Sequence, residues 1–245
     1  IKTGYNEAFI IDGRTKDRLI AEDPKSAEIL KPILRGRDIK RYRAEFADLW
    51  LIDSNNGYTD SIGKRIPPVD ISRYPAVKRW LDGHWEKISV RGDKGKTPYN
   101  LRDCAYYQEF EEEKIIYPNM TKYLPFILDN EKYFTNQKCF IMTGENLGYL
   151  TALFNSQLFK FVYREKFPVL LGGTRELSKI FFDKLRIPRI AAEKEIIFHD
   201  LVISMQQSII VGLPTIETDK TINTLLYEMC DLNQKEREII DSYEL

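Results

Sequence analysis

The sequence has few of the residues on which most catalytic and metal sites depend. It contains two histidines, His84 and His199, and three cysteines in 245 residues. Neither histidine has a cysteine or a second histidine nearby, so the spacing of a zinc site is absent. Cys104, Cys139 and Cys230 are widely spaced and odd in number. They favour reduced thiols in a cytoplasmic protein over a disulfide framework.

Long apolar runs and targeting segments are also lacking. No stretch of about 18 apolar residues occurs, so we expect no membrane-spanning helix. Nothing near Ile1 has the pattern of a signal peptide. Because the chain begins with Ile rather than Met, we expect it to be a fragment of a longer protein.

Nucleotide-binding motifs are missing as well. Gly95-Lys96-Thr97 suggests a phosphate loop, but that motif needs a glycine five residues before its second glycine, and Val90 stands there. The sequence has no glycine fingerprint for a dinucleotide or for S-adenosylmethionine, and no Asn-Pro-Pro-aromatic motif of amino-methyltransferases. We therefore expect no cofactor in this segment.

One acidic and basic triplet leaves a catalytic alternative open. Glu112 and Lys114, with Asp103 upstream, imitate part of a metal-dependent nuclease site. Such triplets are common on protein surfaces, so a solvated surface is the simpler interpretation.

Charge is unevenly distributed along a chain whose net charge is zero. Residues 190–245 carry 4 Lys and Arg against 11 Asp and Glu, whereas residues 1–189 carry 33 against 26. This asymmetry suggests a basic binding body with an acidic appendage, although solvated faces also carry charge runs.

Hydrophobic patterning predicts a mixed α/β (α+β) body over residues 1–189 and a helical tail over residues 190–245. The predicted strands are 5–12, 49–52, 114–117, 124–128 and 139–142, and the predicted helices include 75–88, 146–166, 193–211 and 221–232. Asn233 and Glu236 predict a capping box at the start of a last helix. Asn155, in the middle of the apolar 146–166 helix, should hydrogen-bond within the body.

The first candidate binding segment is Lys31–Arg43, which holds six cations and one anion. Gly36 permits an unusual turn between Arg35 and Arg37, and arginines can bind phosphates or read guanine edges. For Lys40 and Arg41 we expect mainly phosphate contacts. A basic surface turn held by ion pairs is the alternative.

The second candidate lies within Lys64–Arg102, which carries 10 Lys and Arg against 4 Asp and Glu. Its loop-like centre mixes cations with Thr97, Tyr99 and Asn100, which suits phosphate positioning together with contacts to base edges. We expect this segment and Lys31–Arg43 to lie on one face. A flexible solvated loop is the alternative.

A third candidate, Gly172-Gly173-Thr174-Arg175, could present backbone amides and a guanidinium to a phosphate, or be a plain turn. Ten residues are therefore candidates for DNA contact: Arg35, Arg37, Lys40, Arg41, Arg91, Lys94, Lys96, Asn100, Arg102 and Arg175.

Several segments together resemble the TaqI-like C-terminal specificity domains of restriction-modification enzymes. Each motif is short, but the matches keep the family's order and spacing across residues 2–188. The matching segments are Lys2–Phe9, Leu34–Tyr42, Leu101–Tyr107, Lys114–Pro118, Leu153–Ser156 and Leu185–Pro188.

This resemblance implies recognition of a short duplex DNA sequence on behalf of a linked adenine methyltransferase or endonuclease. The tail helices would then correspond to a spacer that packs on other parts of the protein. S-adenosylmethionine and Mg²⁺ are expected for the parent enzyme rather than for this segment. Base-reading residues vary with the target in this family, so the resemblance carries no recognition code.

Two other classes of function remain open at this stage. One is an enzyme fragment that itself cleaves or modifies DNA, which the missing catalytic motifs oppose. The other is a protein-interaction module that acts through its acidic helices.

Overall fold

The structure is a computed structural model, and it describes residues 1–243. The chain forms two compact units. Unit 1 consists of Ile1–Leu34, Phe46–Glu113 and Asn130–Gln137, and unit 2 consists of Arg35–Glu45, Lys114–Asp129 and Lys138–Leu245.

The α-helices are α1 (Asn6–Phe9), α2 (Gly13–Glu22), α3 (Pro75–Asp82), α4 (Trp85–Ile88), α5 (Leu147–Phe154), α6 (Gln157–Lys166), α7 (Lys179–Phe182), α8 (Ala192–Val211), α9 (Ile216–Met229) and α10 (Gln234–Asp241). The strands are β1 (Ile10–Asp12), β2 (Leu30–Leu34), β3 (Ile39–Lys40), β4 (Arg43–Ala44), β5 (Leu49–Ile52), β6 (Tyr58–Thr59), β7 (Arg65–Ile66), β8 (Lys114–Pro118), β9 (Met120–Thr121), β10 (Ile127–Asp129), β11 (Phe134–Thr135), β12 (Cys139–Met142) and β13 (Arg175–Glu176).

Unit 1 is built on a four-stranded sheet with the order β1-β5-β2-β11. Strands β1 and β2 pair antiparallel with β5, and β11 pairs parallel with β2. The predicted strand over residues 5–12 was wrong in its first half, which forms α1. Ala8 and Phe9 are consecutive and both fully buried. The alternation of a half-buried strand cannot place two neighbours in the core, whereas a helical turn can.

Unit 2 contains an antiparallel sheet with the order β10-β8-β12, and every residue of β8 is buried. Helices α5, α6, α8 and α9 contribute to one hydrophobic core with this sheet, through residues such as Ile115, Phe154, Phe198 and Leu226. Burial of these side chains is the main favourable term in folding this unit.

The predicted helix over residues 146–166 is two helices, because the chain breaks at Asn155 and Ser156. The hydroxyl of Ser156 accepts a hydrogen bond from Phe159 N–H at 3.1 Å and caps α6. The apolar periodicity continues across this break, so the sequence pattern predicts one continuous helix.

Helices α5 and α8 pack at very short range. A Cβ atom placed on Gly148 would lie 2.5 Å from the Cα atom of His199, so only glycine fits there. The Glu195 carboxylate accepts hydrogen bonds from the amides of Gly148 and Tyr149 at 2.8 and 2.9 Å. It thereby satisfies two of the amides at the start of α5 that have no partner within the helix.

The mixed α/β fold with C-terminal helices is confirmed. The capping box is also confirmed, since Asn233 and Glu236 exchange hydrogen bonds at the start of α10. The functional division at residue 189 stays a prediction. Across residues 1–243, no helix is both long and apolar enough to cross a membrane.

Candidate nucleic-acid interface

The turn at Arg35–Asp38 is closed by a guanidinium-carboxylate pair. Arg35 donates from Nε and Nη2 to the two carboxylate oxygens of Asp38 at 2.9 and 2.7 Å, and its backbone amide adds a bond of 2.8 Å. Asp38 is buried, which raises its pKa, but the Arg35 hydrogen bonds outweigh burial and hold that pKa below its usual range. The Arg35 guanidinium is therefore used internally.

Arg41 is also committed within unit 2. Its guanidinium donates to the carbonyl oxygen of Asn155 at 3.0 and 2.8 Å and forms an ion pair of 2.5 Å with Asp219 on α9. The next residue, Tyr42, is buried in the left-handed region with φ of 59° and donates its amide to Phe126. Arg41 thus joins the basic segment to the helices of the unit.

Arg37 and Lys40 have exposed side chains, unlike Arg35. Lys40 Nζ donates to the Arg37 carbonyl at 2.9 Å and lies 3.6 Å from Glu45. Within residues 1–243, no hydrogen bond or salt bridge engages the Arg37 guanidinium. These two cations are the members of the Lys31–Arg43 segment best able to contact an external anion.

The loop after Arg91 is held by a buried guanidinium in unit 1. Arg91 is 6% exposed and donates to the carbonyl oxygens of Thr3, Asp93, Pro98 and Asn100. Burial lowers its pKa to about 10, which leaves it charged at neutral pH. The structure therefore gives Arg91 an internal role that closes the loop.

Asn100 has the same kind of role. It is buried, donates from Nδ2 to the Val69 carbonyl at 2.9 Å and accepts from the Thr97 hydroxyl at 2.7 Å. The loop is therefore tied at both ends by Arg91 and Asn100, two side chains that its composition marked for DNA contact, and the alternative of a flexible solvated loop does not describe these two residues.

Three other cations of this loop reach solvent. Lys94 donates to the Ser89 carbonyl at 2.8 Å, and Arg102 lies 3.3 Å from Asp93 while remaining 60% exposed. Lys96 is exposed, and its backbone amide donates to the Asn56 side chain at 2.6 Å. A surface pair such as that of Arg102 is weak and can exchange for another anion.

Arg175 lies half-buried in unit 2. Its guanidinium donates to the Phe167 carbonyl oxygen and sits 5.5 Å from the Tyr163 ring centroid. It closes the hairpin that contains Gly172 and Gly173. Both glycines are exposed, with φ of 75° and 78°, so the turn needs residues that adopt the left-handed region.

The structure divides the ten candidates between the two units. Arg35, Arg37, Lys40, Arg41 and Arg175 belong to unit 2, and the other five belong to unit 1. The expectation that the two basic segments share one face stays a prediction.

A basic stretch that sequence reasoning missed lies at residues 157–189. It carries 8 Lys and Arg against 3 Asp and Glu. Two of the three carboxylates are engaged, Asp183 by Lys179 and Glu165 by the hydroxyl of Tyr243. The charge count of residues 157–189 indicates this stretch, whereas the apolar periodicity of α6 indicates only packing.

Part of this basic stretch pairs with β9. We call residues 119–123 and 168–177 the β9–β13 ribbon. Arg175 and Glu176 pair antiparallel with Thr121 and Met120, and an isolated bridge adds Val169 beside Arg175. The Tyr163 hydroxyl donates to the Thr121 carbonyl at 2.9 Å, so the ribbon is anchored on α6.

The ribbon is adjacent to the Gly36 turn. The Asn119 amide donates to the Lys138 carbonyl at 2.9 Å, and a Cβ atom on Gly36 would lie 3.2 Å from that same carbonyl oxygen. The exposed cations Arg37 and Lys122 therefore belong to neighbouring segments of one unit.

The residues of the nuclease alternative have internal partners. Lys114 Nζ lies 2.6 Å from Asp129, and both side chains are almost wholly buried. Asp103 accepts from the Asn56 side chain at 2.9 Å. Within residues 1–243, no group of three or more His, Cys, Asp and Glu side chains could hold a metal ion.

One carboxyl in unit 1 has an unusual environment. Asp53 is 2% exposed, and burial raises its pKa to about 6 despite hydrogen bonds from the Tyr107 hydroxyl and from Asn55. Its Oδ1 atom is buried and has no hydrogen-bond partner among the described residues.

Comparison with known proteins places the chain in a family. Residues 31–187 match the TaqI-like C-terminal specificity domain family, and the chain belongs to that family. No curated protein matches the sequence.

A solved structure has a similar fold. It is the structure of the type IIL restriction-modification enzyme MmeI in complex with DNA, with a TM-score of 0.61 at 9% sequence identity. The match covers 99% of this chain and 35% of that one, so this chain spans about a third of the length of that protein.

Proposed function

We propose that this chain is a sequence-specific duplex DNA recognition module of a restriction-modification enzyme. Membership of the specificity-domain family supports this function, and the similar fold of MmeI comes from a complex with DNA. The observation that carries the proposal is the set of exposed cations at the Gly36 turn and the β9–β13 ribbon, led by Arg37 and Lys122.

The division between internal and exposed cations defines how DNA would be bound. Exposed Arg37, Lys40 and Lys122 would contact phosphates, since they can do so without breaking a buried hydrogen bond. Arg35, Arg41 and Arg175 would hold the surface in shape. Contacts to phosphates supply affinity and register, and they release counterions.

The test is duplex binding at several salt concentrations, measured by fluorescence anisotropy with a pool of 30-base-pair duplexes of random sequence. Arg37→Ala and Lys122→Ala should each weaken binding and make the dependence on salt shallower by about one counterion. Lys235→Ala removes an exposed lysine from α10 and is the matched control. Absence of duplex binding even at low salt would refute the function.

We further propose that the recognised sequence is presented to a linked adenine methyltransferase or endonuclease. That parent enzyme would use S-adenosylmethionine and, for cleavage, Mg²⁺. The test compares two motifs: the one this chain selects from random duplexes, and the one at which adenines are methylated in the DNA of the host cell. Unrelated motifs would contradict the proposal.

A nuclease site within this segment is the competing function. Its test is cleavage of duplex DNA with added Mg²⁺, compared with the variants Asp103→Ala and Glu112→Ala. Cleavage that is lost in either variant would favour it. The buried pairing of Lys114 with Asp129 opposes it, because that lysine is not available to a phosphate.

A further inference from the structure

The β9–β13 ribbon carries exposed apolar side chains where a soluble surface would ordinarily carry polar ones. Met120 is 48% exposed, Tyr123 is 68% exposed and Val169 is 61% exposed. Single exposed apolar residues are common, but this small ribbon exposes apolar side chains on both of its sides, since Val169 pairs with Arg175 and Met120 lies on the opposite side.

The geometry of the tip keeps these side chains outside the core. Thr121 and Arg175 form one cross-strand pair, while Met120 and Glu176 form the next and lie on the opposite side of the ribbon. The Tyr123 amide donates to the Thr121 hydroxyl at 3.0 Å, which tightens the turn through Lys122. Thr121 faces inward at 9% exposed, and Met120 therefore faces outward.

The charge around residues 120–123, the tip of the ribbon, favours a polyanion as the partner that covers these side chains. One strand of the ribbon lies within residues 157–189, which carry 8 cations against 3 anions. Two of those cations, Arg175 and Lys179, are engaged internally, whereas Lys122, between Met120 and Tyr123, is exposed. Within residues 1–243 no salt bridge engages the Lys122 ammonium. An apolar protein partner would not need this excess of positive charge, whereas duplex DNA offers phosphates beside base edges.

We propose that the tip of the β9–β13 ribbon, Met120 to Tyr123, enters the major groove and reads base edges; this inference rests on the proposed function. A two-stranded ribbon fits the width of the major groove. Met120 contributes apolar contact of the kind that thymine methyl groups accept, and Tyr123 adds a ring with a hydroxyl that donates and accepts. Lys122 contacts an adjacent phosphate.

The tip differs from the loop that the sequence favoured for base reading. Arg91 and Asn100 of that loop are buried and satisfied by their own chain, so reading a base would require them to break several hydrogen bonds. Tyr123 needs no such rearrangement. Specificity is therefore assigned to apolar and aromatic contacts on the ribbon rather than to a cationic loop.

The experiment selects duplexes with a randomised centre using this chain, and then measures binding to the selected duplex and to a scrambled one. Tyr123→Ala and Met120→Ala should each weaken binding to the selected duplex by about 5- to 150-fold and change scrambled binding by less than about threefold. Each should also remove the preference at one or two adjacent base pairs. Tyr123→Phe separates the ring from its hydroxyl. Tyr106→Ala, which removes a tyrosine 48% exposed in unit 1, is the matched control.

The groove is tested with modified duplexes. A 7-deazapurine removes a major-groove acceptor and leaves the minor groove unchanged. Substituted one position at a time, it should weaken wild-type binding at the base pairs whose preference Tyr123→Ala loses. It should have little further effect on that variant.

The outcomes separate this inference from the function on which it rests. If wild type selects a motif and both tip variants select the same motif with the same affinity ratio, the ribbon does not read bases and the inference fails alone. Equal weakening on selected and scrambled duplexes would also overturn it, because the tip would then contact only the backbone. If wild type binds no duplex at low salt, the proposed function fails as well.

Discussion

Replacing Asn155 tests whether its hydrogen bonds, at the break between α5 and α6, stabilise the fold. Asn155 is 2% exposed, and its side chain hydrogen-bonds to Phe126, just before β10, and to Thr151 on α5. Its Oδ1 atom accepts from the Phe126 amide at 3.2 Å, and its Nδ2 atom donates to the carbonyl oxygens of Phe126 and Thr151 at 2.9 and 3.0 Å. The prediction that it hydrogen-bonds within the body is thus confirmed.

The loss of stability in Asn155→Ala depends on which backbone groups keep a hydrogen-bond partner after the side chain is removed. The Phe126 carbonyl retains the Tyr42 amide at 3.1 Å, and the Thr151 carbonyl retains the Asn155 backbone amide at 3.2 Å. The Phe126 amide loses Oδ1 and is left buried. One orphaned amide costs about 1–3 kcal/mol, and the small cavity adds about 1 kcal/mol. We expect the free energy of unfolding to fall by about 2–4 kcal/mol.

Asn155→Asp provides a sharper comparison. An aspartate could still accept from the Phe126 amide, but it would face two carbonyl oxygens and would have to be buried as an anion or protonated. It should therefore destabilise the protein more than alanine does. Gln137→Ala removes an exposed amide side chain and should change stability by less than about 0.5 kcal/mol.

The assay is equilibrium unfolding in urea followed by circular dichroism, together with duplex selection by the folded variant. Unfolding free energies of Asn155→Ala within about 0.5 kcal/mol of wild type would refute the hydrogen-bond reasoning. Loss of sequence preference in a fully stable variant would make Asn155 a DNA contact instead.

Three further predictions concern other buried features. Arg91→Ala should lower the free energy of unfolding by about 2–4 kcal/mol, because three loop carbonyls and that of Thr3 lose a buried donor. Exposed Lys94→Ala should change it little, and equal urea midpoints for the two variants would contradict this prediction. Gly148→Ala should destabilise the protein by about 1–3 kcal/mol, because the added Cβ atom would overpack against the α8 backbone. The measurement is thermal unfolding, with Gly92→Ala as the control, since a Cβ atom there has open space. The Asp53 pKa of about 6 lies above its value in the unfolded chain, so this group stabilises the fold most at low pH. Stability should fall by about 2 kcal/mol between pH 4 and 6.5. A wild-type slope matching that of Asp53→Asn would contradict this prediction.

Local sequence signals predicted the elements whose cause is local. Leu49–Ile52 is a strand with the predicted bounds because a short apolar run ends at a strong turn signal. Asn233 caps α10 because its partner, Glu236, is three residues away. In both cases the determining contacts lie within a few residues, where a single sequence reveals them.

Long-range partners account for what the sequence could not predict. Arg91 looks like a surface cation, but its guanidinium is buried by carbonyl groups that include Thr3, 88 positions earlier in the chain. Glu195 looks like one of many acidic residues of a solvated helix, yet it caps α5 from 47 positions away. A composition count assigns charge to a segment but not the direction in which each side chain points.

Whether a cation already has partners within its own chain also decides whether it can bind DNA. Arg35, Arg41, Arg91 and Arg175 each donate to acceptors of their own chain, so reaching a phosphate would first cost the hydrogen bonds they already make. A new phosphate contact would then replace an existing bond, and the net gain would be small. Lys122 has no such commitment within residues 1–243, so its contact adds to affinity in full. Affinity for a polyanion should therefore follow the uncommitted cations rather than the local density of Lys and Arg. On this chain that criterion selects Lys122 of the β9–β13 ribbon and Arg37 of Lys31–Arg43, and it excludes the committed arginines Arg35, Arg41 and Arg175.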